Sequence, residues 1–100
     1  MLPKIRDKFR AKVRALDYVM TIHAEEEMEN DHLSIFDIEE IILTGEIVER
    51  QEDADTQENK YLVVGKTIDD VEAVVVAKLS PATDKLVIIT VYLEGNEYQN

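Results

Sequence analysis

The chain has 100 residues, of which 45% are hydrophobic and 33% charged, with three glycines, two prolines and no cysteine. That length suits one cored domain and not two, and roughly two-thirds of the unfolded surface can be buried at this size, which argues against disorder throughout. The formal net charge of −11 disfavours a general nucleic-acid binder, and the lack of cysteine removes disulfides, thiolate nucleophiles and thiolate metal sites.

No apolar run approaches the ~20 residues of a membrane span, and Met1-Leu2-Pro3-Lys4 lacks the apolar region of a secretory signal. A cytoplasmic protein without membrane contact is expected. The charge is unevenly placed: residues 1–16 hold six of the eleven basic side chains and one acid, Asp7, whereas residues 17–100 hold five bases and twenty-one acids.

Leu2, Ile5, Phe9, Val13 and Leu16 recur at spacings of three and four, which predicts a helix over 1–16 with one apolar stripe. Pro3 suits its first turn. Lys4, Lys8 and Lys12 form one i, i+4 row and Arg6, Arg10 and Arg14 another. Such a helix either reaches out as a cationic arm or docks its stripe and turns its bases to solvent and to the acidic body.

Residues 17–22 read as a short strand or extended connector. His23 to Glu29 is rich in helix formers with acids in the first turn, so a helix begins near Thr21 or Ile22 and ends at Asn30-Asp31. Ser34 followed by Asp37 is a capping-box pattern, Leu33 and Ile38 are spaced as a hydrophobic staple, and Ile35, Ile38, Ile41 and Ile42 continue a buried face. Gly45 is expected to end that helix in a left-handed turn.

Beyond Gly45 the pattern alternates. Residues 46–50 predict a strand, Gln51 to Asn59 an acidic loop, and Lys60–Lys66, Val71–Leu79 and Lys85–Leu93 three more strands. The last links are too short for a crossover helix, so these strands should be antiparallel neighbours. The expected fold is α+β, with N-terminal helices on one face of a curved antiparallel sheet of three to five strands.

His23-Ala24 with Met28, Gly45-Glu46-Ile47, Tyr61-Leu62-Val63-Val64-Gly65-Lys66-Thr67 and Ile89-Thr90-Val91-Tyr92 occur in one order. Over about residues 18–93 this ordered set resembles the bacterial family known as domain of unknown function 4258. The resemblance implies a fold similar to RelE-type toxin ribonucleases, with helices on a curved antiparallel sheet. Family members often carry Arg before the Met of the helix motif, where Glu27 stands here. Many have a His at the start of the penultimate strand, and the corresponding Val71–Val76 has none.

His23 is the leading candidate for proton transfer near neutral pH, with a helix-start packing role as its structural alternative. Lys66, Thr90 and Tyr92 can add polar contacts. Thr90 and Tyr92, two apart on a strand, share a face and line a groove beside His23 if that face is open. His23 and Glu27 are i, i+4 and His32 follows, but acids are abundant and there is neither a His-Glu-x-x-His motif nor a calcium loop, so no metal and no cofactor is expected. Three functions follow: a non-catalytic module binding a protein partner, basic or a second copy; a toxin-like ribonuclease using His23; or a small-molecule or metal-binding accessory domain.

Overall fold

The computed structural model describes residues 2–94. Three helices, α1 (Pro3–Arg14), α2 (Ile22–Asn30) and α3 (Ile35–Thr44), pack on one face of a five-stranded sheet. Its strands are β1 (Tyr18–Met20), β2 (Glu46–Glu52), β3 (Asn59–Lys66), β4 (Glu72–Leu79) and β5 (Leu86–Leu93), in the order β1-β5-β4-β3-β2. The fold is α+β, with the helices mostly preceding the sheet. The sheet is mixed, because β1 runs parallel to β5 while all other pairs are antiparallel. A hairpin forces antiparallel pairing only between strands joined by a short link, and no such link joins β1 to β5.

Strand alternation sorts the side chains. Ile47, Tyr61, Val63, Ala73, Val75, Ala77, Leu86, Ile88 and Val91 form one buried cluster with Ile38, Ile41 and Ile42 of α3. Phe9 and Val13 of α1 join it, and the Phe9 ring meets Tyr61 edge-on, with centroids 5.6 Å apart at 84°. Burying Phe9 contributes about 1.5–3 kcal/mol. The basic first helix is therefore docked. Arg6 pairs with Glu46 at 3.2 Å and Lys12 reaches Asp17 and Asp84 at 3.1 and 3.2 Å. Arg10 donates to the carbonyls of Gly45 at 2.7 Å and Ile42 at 3.3 Å, supplying partners at the C-terminal end of α3.

Leu16 is not on the buried stripe. Helix α1 ends at Arg14, and Leu16, at φ 57, occupies the left-handed position from which its N–H and that of Asp17 bond back to Val13 and Lys12 carbonyls. It is 72% exposed. His32, at φ 56, closes α2 in the same way, with its N–H bonded to the Glu29 carbonyl and that of Leu33 to Met28.

The capping box of α3 is formed: the Ser34 hydroxyl accepts from the Asp37 N–H and the Asp37 carboxylate accepts from the Ser34 N–H. Gly45 differs from expectation, since its φ of −85 is not left-handed. Space requires glycine there instead. A Cβ on Gly45 would lie 2.4 Å from the Ile41 carbonyl oxygen and 2.5 Å from that of Val64, and one on Gly65 would lie 2.6 Å from the same Ile41 oxygen. Strand β2 also extends past Arg50 to Glu52, because Gln51 and Glu52 still pair with Lys60 and Asn59. The link that remains is folded around Asp53, whose carboxylate accepts from the N–H groups of Asp55 and Thr56 at 2.8 and 3.3 Å.

Candidate functional site

His23 is the second residue of α2, a helix anchored by Thr21. The Thr21 hydroxyl accepts from the Ala24 N–H at 3.0 Å and donates to the Ile89 carbonyl at 2.8 Å, where β5 bulges. Ala24, fully buried, faces the sheet, while His23 is exposed within the helical layer.

The other three candidates lie elsewhere. Val91 is fully buried against the helices, so Thr90 and Tyr92 on either side of it project from the opposite face of β5. They stand across from Val76 and Val74. Lys66 stands across from Glu72, whose neighbour Ala73 is buried on the helical side, so Lys66 belongs to the same helix-free face. That face thus gathers Lys66, Thr90 and Tyr92, and His23 is not among them. The Val64-Val74-Tyr92 row spans two strand spacings, about 10 Å.

At the centre of the open face Val74 and Val76 are only 2% and 6% exposed, although no helix among the described residues covers them. Half-buried Leu62, Val64, Thr90 and Tyr92 flank them, and Val19 stands exposed beyond Val87. Among the described residues, two concavities adjoin this surface. One, of about 310 Å³, lies between the β2–β3 turn and β5, with Lys60, Lys78, Val87 and Ile89 among its walls. There Lys78 pairs with Glu58 at 3.2 Å. The Asp53 carboxyl is held below its ordinary range by the N–H groups of Asp55 and Thr56, with Lys60 and Lys78 adding to the effect.

The second concavity, of about 500 Å³, lies beside Lys66, between α3 and the β3–β4 turn. Gly45, Gly65 and Val64 contribute to its lining, along with Glu40 and Thr44 of α3, and Lys66, Ile68, Asp70 and Glu72 from the turn and the strand ends. Thr67, 5% exposed, folds the turn: its hydroxyl accepts from the Val71 N–H at 3.1 Å. The turn is tied to α3 by a bond from the Ile68 N–H to the Asp37 carboxylate at 3.0 Å. Burial pushes that carboxyl up, yet the bonds from the Ser34 N–H, the Ile68 N–H and the Ser34 hydroxyl outweigh it and hold it below the ordinary range.

Lys66 stands out in the sequence, whereas Glu40 and Glu72 do not. Their signal was faint: Glu40 lies four residues from both Phe36 and Thr44 on one helical ridge. Nothing local places that ridge beside residue 72. Elsewhere, desolvation and then the Glu39 carboxylate raise the Tyr18 phenol to about 12, and the pair is a buttress between β1 and α3.

No helix among the described residues is long and apolar enough to cross a membrane. The architecture defines a small α+β domain with one sheet face covered by helices and one left open. Residues 20–93 match the family described as Domain of unknown function (DUF4258), and the chain belongs to that family. The match excludes α1, so the helix that supplies Phe9 and Val13 to the core precedes the family domain. No curated protein and no solved structure matches the chain.

Proposed function

We propose that this domain is a non-catalytic protein-interaction module of the cytoplasm that docks a partner chain on the open face of its sheet. The observation that carries this reading is the helix-free side of the sheet, where half-buried Leu62 and Val64 flank the shielded Val74 and Val76, edged by Lys66, Thr90 and Tyr92. A sheet face normally buries its apolar side chains against another layer. A ribonuclease would need a proton-transfer group beside a phosphate-stabilising one, and His23 stands in the helical layer, apart from Lys66, Thr90 and Tyr92.

The reading is tested by placing a photo-crosslinking amino acid at Leu62, or at Glu26 on the helical side, and irradiating cells that express each protein. A discrete adduct from Leu62 and none from Glu26 is expected. Its mass separates a foreign partner from a second copy of the chain. No adduct at Leu62, or the same adducts from both positions, overturns the proposal. Incubating RNA with the wild type and with His23→Ala tests the toxin-like alternative, and no cleavage is expected from either.

A further inference from the structure

The concavity between the β2–β3 turn and β5 combines charges of both signs with an apolar wall. Tyr61 and Ala77 are paired and buried on the helical side, so Lys60 and Lys78, one residue beyond them, stand side by side on the open face. Two cations at facing positions of neighbouring strands repel each other. Glu58 offsets one of them by pairing with Lys78 at 3.2 Å. The Lys60 ammonium has no ion pair among the described residues.

An acid stands close by without meeting it. Oδ1 of Asp53 accepts the N–H groups of Asp55 and Thr56 at 2.8 and 3.3 Å, which leaves Oδ2 with no bond among the described residues. Lys60 is near enough to help hold that carboxyl below its ordinary range, yet the two do not close into an ion pair. A cation and an anion therefore line one concavity with a gap between them.

The β5 wall is apolar. Val87 stands across from Lys78, and Ile89 is the extra residue of the bulge, because Ala77 pairs with Ile88 and Val76 with Thr90. A bulge re-aims the side chain it inserts. The Ile89 carbonyl is fixed by the Thr21 hydroxyl at 2.8 Å, so the cap of α2 holds this wall in place. The space of about 310 Å³ suits a small ligand.

We infer that this concavity binds a small zwitterion, an α-amino acid with an aliphatic side chain. Lys60 takes its carboxylate, Asp53 its ammonium, and the side chain lies on Val87 and Ile89. A simple anion would be opposed by Asp53 and a simple cation by Lys60, whereas a ligand that carries both charges on one carbon fits a gap between two near but unpaired groups. The site stands apart from the interaction reading, which the Leu62 crosslink tests independently.

The probe is L-leucine, titrated into the ¹⁵N-labelled full chain. Three truncated ligands accompany it: isocaproate lacks the ammonium, isoamylamine the carboxylate and glycine the side chain. Saturable amide shifts at Lys60, Lys78 and Val87 are expected with leucine in the millimolar range, and each truncated ligand should bind more weakly. An exposed charge contact gives roughly a two- to fivefold effect. Lys60→Gln and Asp53→Asn, whose amide oxygen can still accept the N–H groups of the turn, should each weaken leucine by that factor. Lys66→Gln, at the other end of β3, should bind as wild type does. The lack of saturable shifts overturns the proposal, as does isocaproate or isoamylamine binding as tightly as leucine. Equal weakening by Lys66→Gln would show diffuse attraction and overturn it too.

Discussion

The two faces of the sheet carry similar apolar side chains to opposite ends. On β4, Val75 is fully buried beneath the helices, while Val74 and Val76 beside it are shielded on a side that no helix covers. The covered face is closed by side chains from every helix, including Phe9 and Val13 of an element that lies outside the family match. Similar residues are thus shielded on both sides, and among the described residues the helices supply the cover on one side only.

The largest test of that contrast is Phe9→Ala, which removes a ring packed against Tyr61. A cost of about 3–5 kcal/mol is expected, read from urea unfolding. A loss below about 1 kcal/mol would show that α1 is a detachable arm. A finer test compares Val75→Thr with Val76→Thr. The first places a hydroxyl in the apolar cluster and should cost about 1–3 kcal/mol, whereas the second should stay within about 1 kcal/mol because water or a neighbouring polar group can satisfy it. Equal costs would mean that the two faces are equally closed.

The smallest effect concerns acid. The folded Asp37 carboxyl lies below its ordinary value of 3.8, so its contribution is complete above that value and is lost as pH falls through the lower folded value. Asp37→Asn should therefore unfold with a midpoint that falls less steeply below about pH 4 than that of wild type, as followed by circular dichroism in urea. Identical acid profiles would remove Asp37 from the link between α3 and the β3–β4 turn.

Local features were legible from the chain. The Ser34-to-Asp37 capping box needs only a spacing of three, and its bonds are present in the fold. The start of α2 near Thr21 was equally readable, but the second role of that hydroxyl, its bond to the Ile89 carbonyl, depends on a residue 68 positions away. Thr90 and Tyr92 had to share a face, yet which face depended on the direction of Val91. Position alone suggests a left-handed turn at Gly45, whereas the constraint there is the approach of the Ile41 and Val64 carbonyls.

Periodicity, capping and charge by themselves determined that this protein is a helices-then-sheet α+β domain with an acidic body and a basic first helix. These properties rest on contacts within a turn or along a strand, where spacing alone dictates geometry. Tertiary structure decided the parallel pairing of β1, the docking of α1, the separation of His23 from Lys66, Thr90 and Tyr92, and the placing of Glu40 and Glu72 around one concavity. Each of these depends on which surfaces exclude water together, a property of distant segments that no local pattern contains.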